Sequence, residues 1–195
     1  YFLSRIDCFH PNRQGQMKMA QMVWQGHHSG FSPTDVFYYE GFDSEDWCEQ
    51  EFTSWGSCWE EGGYGECGDE FICRSDASGW FKFGKETSNN EDHWMTRDAG
   101  DLSGKSEVWG YFKHKRDQFD DESDWVGFFV WDGSSWDLVD TFRENNDEGN
   151  HCSRYYDLTP YKNASPFKIK FQTNNSSNMK NGDKLMLDDI SIFAW

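Results

Sequence analysis

The chain has 195 residues, enough for one sizeable domain or for a domain with an extension. Its 35 Asp and Glu against 18 Lys and Arg give a net charge of −17. This argues against nucleic acid and anionic membranes as partners, whose phosphates would be repelled, and it favours cations. Aromatic residues are 18% of the chain, with 11 Trp and 17 Phe, which excludes disorder despite the polar balance.

Residues 1–36 differ from the rest. Tyr1 to Ile6 is a short apolar run, Gln14 to Gln25 carries Met17, Met19, Met22 and Trp24 without a period, and His27 to Pro33 reads as a loop. This stretch is expected to be an N-terminal extension that docks on its own domain or on a neighbour. Added to a neighbour's open sheet edge, it would place Phe2, Leu3 and Ile6 in apolar slots. The domain is expected over residues 37–195, opening at Phe37-Tyr-Tyr-Glu-Gly-Phe-Asp43. Residues 48–73 form a Gly- and Glu-rich insertion, read as a disulfide-stapled loop.

Strands are predicted over 70–74, 80–83, 93–96, 107–115, 125–131, 136–142, 153–157, 167–173 and 184–193. Gly, Asn, Asp and Ser punctuate them, and no long segment has a helical period, so the expected fold is an all-β antiparallel sandwich. Trp131-Asp-Gly-Ser-Ser-Trp136 is a hairpin turn with Asp-Gly at its centre. Asp120 to Asp124 reads as a solvated acidic hairpin loop. No transmembrane run is visible.

The six cysteines are Cys8, Cys48, Cys58, Cys67, Cys73 and Cys152. No CxxC pair occurs among them, so disulfides in an oxidising compartment are favoured over zinc or thioredoxin-type chemistry. Sequons at Asn163, Asn174 and Asn175 lie in predicted loops and agree with a secreted glycoprotein.

From Phe37 onward the chain resembles secreted jelly-roll domains, which include MAM domains and carbohydrate-binding-module-like sandwiches. Four pieces carry the resemblance: Glu40-Gly-Phe-Asp-Ser-Glu-Asp-Trp47; Asp101-Leu-Ser-Gly with Val108-Trp-Gly-Tyr-Phe112; Asp124-Trp with Asp132-Gly-Ser-Ser-Trp136; and Tyr156-Asp-Leu-Thr with Phe167 to Phe171 and Leu187 to Ile192. The resemblance implies a jelly-roll β-sandwich. The insertion and the first 36 residues fall outside the family pattern.

The closing strand, Lys184 to Phe193, breaks its own alternation. If Leu185 and Leu187 face the core, so does Asp189; if Ile190 and Ile192 do, Asp188 joins them. Either a carboxylate points inward or a bulge resets the register. First and last strands of a jelly roll often run side by side, which would gather Glu40, Asp43, Asp188 and Asp189. Hard oxygen ligands of this kind suit Ca²⁺, and a structural calcium ion is the expected cofactor. Solvated or amide-bonded acids at strand ends are the alternative.

In Trp125 to Trp131, Val126, Phe128 and Val130 suit the core. In the preceding strand Val108 and Phe112 do so. Trp109, Tyr111, Trp125, Phe129 and Trp131 are then expected on one opposite face, an aromatic load that is abnormal for a free monomer. Such a face stacks sugars, forms a subunit interface, or is covered as a second core by the N-terminal or Cys-rich segment. No triad or HExxH motif includes any of the six histidines, so no enzyme is expected, with a polysaccharide lyase or glycoside hydrolase as the alternative. The leading expectation is a non-enzymatic extracellular structural or adhesive protein, a filament-like assembly of copies of itself. The alternative is a carbohydrate-binding module whose aromatic platform meets surface glycans.

Overall fold

Alternation along the longest strands sets the architecture. Val108, Gly110, Phe112, His114 and Arg116 point into the interior, and Trp109, Tyr111, Lys113, Lys115 and Asp117 point away from it. The same period runs through Phe167, Ile169, Phe171 and Thr173, with Lys168, Lys170 and Gln172 outward. The structure, a computed structural model, describes residues 36–42, 51–52, 55–62, 72–75, 80–84, 93–117, 119, 125–143, 152–173 and 183–195. For 51–52, 72–75 and 80–84 it describes the backbone alone. The chain divides between Asp35 and Val36, and all described residues lie in the second unit. Phe2, Leu3, Ile6, Cys8, Asp43, Cys48, Cys67, Asn174 and Asn175 are outside the described residues, as is the side chain of Cys73.

Twelve strands are described: β1 (Val36–Glu40), β2 (Glu51–Phe52), β3 (Glu60–Gly62), β4 (Ile72–Ser75), β5 (Trp80–Gly84), β6 (Trp94–Gly100), β7 (Val108–Asp117), β8 (Trp125–Trp131), β9 (Trp136–Arg143), β10 (Cys152–Asp157), β11 (Phe167–Thr173) and β12 (Lys184–Ala194). All the pairings are antiparallel. A first sheet runs β10-β7-β12-β1-β2, with β5 also on β12 and β4 on β5; a second runs β3-β6-β11-β8-β9. The expected all-β sandwich is what forms. Among the described residues no helix is long and apolar enough to cross a membrane.

First and last strands do pair, from Val36 opposite Ala194 to Glu40 opposite Ile190. The insertion is not only a stapled loop: β2 pairs with β1 and β3 with β6, so it adds an edge strand to each sheet. Strands of two or three residues are too short to show a period, which is why they escape a reading of the sequence. Cys58 in this stretch is disulfide-bonded. Cys152 is a half-buried thiol at the start of β10, so the expectation that all six cysteines pair does not hold for it.

Between the sheets lies an aromatic core. The Phe112 ring meets Phe128 and Phe171 edge-on at 5.2 Å each, and Phe142 packs at 5.8 Å. Each of these phenylalanines is buried, so truncating one to Ala would cost about 3–5 kcal/mol.

Candidate functional site

The five aromatics expected on one face are divided between two. β7 belongs to the first sheet and β8 to the second, and both turn their apolar sides to the shared core. Their outward sides therefore point in opposite directions. Trp109 and Tyr111 lie on the outside of the first sheet; Trp125, Phe129 and Trp131 lie on the outside of the second.

The second sheet's outer face is built as follows. Gly127 separates Trp125 from Phe129, and a Cβ there would run into both rings, so glycine lets them lie across the strand. β9 adds Trp136 opposite Trp131 and Leu138 opposite Phe129. The Trp131 and Trp136 rings meet at 5.5 Å and 63°, the edge-to-face geometry that indoles prefer. Leu138 is 48% exposed, and the four rings are half-buried. Lys170, opposite Phe129 on β11, sets its ammonium 4.8 Å from the Phe129 ring centroid and 4.6 Å from that of Trp136. Arg143 lies 5.8 Å over Trp125, and Gln172 stands outward beside Gly127. Trp136, Leu138 and Lys170 were missed from the sequence. Lys170 reads there only as the wet side of a strand, and Trp136 lies in β9, whose pairing with β8 shifts register at Val139, between Leu138 and Asp140.

The hairpin that carries Trp131 and Trp136 is held by Asp132. Its carboxylate accepts the Ser134 and Ser135 amides at 2.6 Å each and both serine hydroxyls at 2.9 Å, while Gly133 takes φ +105°. The Ser135 and Ser134 amides bring the Asp132 carboxyl down to about 2. A lowered folded value stabilises the hairpin above the ordinary carboxylate range and is lost as pH falls through about 2. In an acid titration followed by NMR, the Ser134 and Ser135 amide signals should move with a midpoint near 2. A midpoint at the ordinary 3.8 would show that the Asp132 carboxylate does not hold the turn.

On the first sheet's outer face Tyr155 is 70% exposed, and its ring lies 4.8 Å from that of Tyr111. Burial pushes the Tyr111 phenol above its ordinary value, with Tyr155, Asp189 and Asp188 adding to the shift and a Ser153 hydrogen bond opposing it. The Trp109 indole N–H is held by Glu107 at 3.1 Å, and Phe37 stacks on Phe193 at 4.7 Å. Asn163 is exposed just after the 3-10 turn Thr159–Tyr161, open to a glycan.

Glu40, Asp188 and Asp189 are not brought together. Glu40 faces the interior, 1% exposed, and pairs with the fully buried Arg97 of β6. It also accepts the Phe42 amide at 3.0 Å and the Trp59 indole N–H at 3.3 Å. The Arg97 guanidinium lies 4.5 Å from the Trp55 ring and 5.5 Å from that of Trp59, so one charge pair ties the two sheets together. Asp189 is on the other side. β12 bulges between Asp188, opposite Lys113, and Ser191, opposite Tyr111, and Asp189 takes φ +51°. There its carboxylate accepts the Tyr39 hydroxyl and pairs with Lys113. The bulge, not an inward carboxylate, resolves the broken alternation. Among the described residues no group of three or more potential ligands could hold a metal ion.

At the opposite edge, Asp140 of β9 reaches β10: it pairs with Arg154 and accepts the Tyr156 hydroxyl at 2.8 Å. That link closes the sandwich beside the second sheet's aromatic face.

No family model and no curated protein matches the sequence. Solved structures do. A family 61 carbohydrate-binding module in complex with β-1,4-galactotriose matches at TM-score 0.50 and 12% identity, over 80% of this chain and 94% of that one. A mutant of a family 29 carbohydrate-binding module matches at 0.48 and 13%, over 82% and 85%. Another, complexed with mannohexaose, matches at 0.46 and 13%, over 84% and 93%. The fold is a carbohydrate-binding-module-like β-sandwich. At these identities the likeness is one of fold.

Proposed function

We propose that this protein is a non-catalytic, secreted carbohydrate-binding module whose ligand lies along the outer face of the second sheet. The observation that carries the reading is the row of half-exposed rings, Trp125, Phe129, Trp131 and Trp136, interleaved with Lys170 and Gln172. A pyranose offers one apolar face to stack on an indole and a rim of hydroxyls to hydrogen-bond; a ring platform with polar side chains between the rings meets both needs. A solved structure of like fold is a carbohydrate-binding module in complex with galactotriose, which supports this reading over a filament subunit. Affinity electrophoresis through gels containing galactan, mannan or cellulose tests it: retardation by at least one polysaccharide is expected, and migration unchanged in all of them would defeat the reading. Secretion fits the disulfide at Cys58 and the exposed sequon at Asn163.

The calcium proposed from the sequence is tested by chelation. A fall of several degrees in Tm on adding EDTA would show a structural ion, since a ligand bound to the folded state stabilises it. With Arg97 and Lys113 already opposite Glu40 and Asp189, the expected result is no change.

A further inference from the structure

One ring on the second sheet's outer face stands apart from the others. Met95 of β6 is fully buried, so Trp94 and Thr96 on either side of it point outward. Trp94 is half-buried and lies opposite Gln172 of β11, as Thr96 lies opposite Lys170. On the other side of Trp94 is Gly62 of β3. A Cβ at Gly62 would run into the indole, so glycine lets the ring lie over β3. Among the described residues nothing accepts the Trp94 indole N–H and no other ring packs against it. An indole placed for stability usually finds its N–H a partner, and neither the core nor a hydrogen bond explains this one.

The register sets Trp94 on a diagonal with the rings already described. Gln172 and Lys170 come next on β11, then Phe129 on β8, then Trp131 with Trp136 at the hairpin. From β6 to β9 is three strand spacings of about 4.8 Å, and from the level of Gly127 to that of Trp131 is four residues of about 3.3 Å, so the two ends lie roughly 20 Å apart. A pyranose advances an extended glycan by about one strand spacing, so about four sugars fill that distance. Polar groups line the path: Gln172 and Lys170 between the rings, with Glu60 opposite Thr96 and Asp98 opposite Lys168 on its flank. Amide, ammonium and carboxylate together offer donors and acceptors to sugar hydroxyls. We infer that the glycan crosses the strands diagonally as an extended stretch of about four sugars, and that Trp94 stacks on the sugar at the far end. A chain laid along β8 alone would meet Trp125, Phe129 and Trp131 and leave Trp94 unused. The inference rests on the glycan-binding reading and goes further by giving the site a direction, a length and a fifth ring, so that it reads long chains in preference to disaccharides.

Calorimetry on the full chain with β-1,4-linked cello-, manno- and galacto-oligosaccharides of two to six sugars tests it. In the series that wild type binds, affinity should climb about tenfold or more from disaccharide to tetrasaccharide and then level off. Trp94→Thr puts a β-branched residue, which suits a strand, in place of the ring. It should weaken hexasaccharide binding about tenfold while leaving the trisaccharide within about twofold of wild type. Trp94→Phe keeps a ring and should restore most of the loss. Gly62→Ala shifts the indole without removing it. It should weaken the hexasaccharide by a smaller factor, and it reads the same contact if Trp94→Thr does not fold. Hexasaccharide binding unchanged in both Trp94→Thr and Gly62→Ala overturns the role given to Trp94. An equal loss at every chain length overturns its place at the far end. A wild type that holds the disaccharide as tightly as the hexasaccharide overturns the diagonal path and leaves glycan binding standing. Binding to none of the three hexasaccharides, nor to any of the polysaccharides, overturns both readings.

Discussion

Arg97→Met is expected to destabilise the protein by about 3–5 kcal/mol, a fall of roughly 10 °C in Tm for a domain of this size. Arg97 and Glu40 are both buried, one on each sheet, and each is the other's counter-charge. Without the guanidinium, Glu40 keeps the Phe42 amide and the Trp59 indole N–H but loses the positive charge of Arg97. The carboxylate is then left charged in a low-dielectric interior, where removing one partner costs more than the pair was worth. Trp55 and Trp59 lose the flat cation they pack against. Urea denaturation of wild type, Arg97→Met and the double variant Glu40→Gln/Arg97→Met measures this. The double variant should recover part of the loss, because it removes the stranded charge. A single variant within about 1 kcal/mol of wild type would mean that Arg97 is not what balances Glu40.

The second large effect is on binding. Trp131→Ala should weaken binding to the polysaccharide that retards wild type by roughly thirtyfold, about 2 kcal/mol, the scale of a central aromatic anchor. Its Tm should change little, because the ring is half-buried on the outside of the sheet and not part of the core. Trp109→Ala is the matched control. It removes an indole of similar exposure from the outside of the other sheet, and binding should be unchanged. Loss of binding in Trp109→Ala with full binding in Trp131→Ala would move the site to the first sheet.

These two experiments bear on what a reader of the sequence can and cannot see. The strands of β8 and β11 are legible residue for residue, because each alternates large apolar groups with polar or aromatic ones. The bulge in β12 is also legible as one of two alternatives, from the collision of Leu185 and Leu187 with Ile190 and Ile192. Which alternative wins is a matter of partners: Tyr39 and Lys113 await the Asp189 carboxylate outside the sheet, and Arg97 takes the charge of Glu40 within. Arg97 lies well away in sequence, and nothing in its own neighbourhood marks it as buried. Trp55 and Trp59 were likewise hidden inside a stretch read as loop, since strands as short as β2 and β3 carry no measurable period.

By itself the sequence determined an all-β, antiparallel secondary structure for the longer strands, a domain opening near Val36, and, for β7, β8 and β11, which residues share a side. Period-2 patterning is a local property, written in neighbouring residues. Tertiary structure alone decided which sheet each strand joins. That choice sends β7 and β8 to opposite layers, splits Trp109 and Tyr111 from Trp125, Phe129 and Trp131, and brings Trp136 and Lys170 to the latter three. The physical reason is that strand pairing is non-local. Register is set by hydrogen bonds and core contacts between residues far apart in the chain, and a face exists only once those pairings have formed.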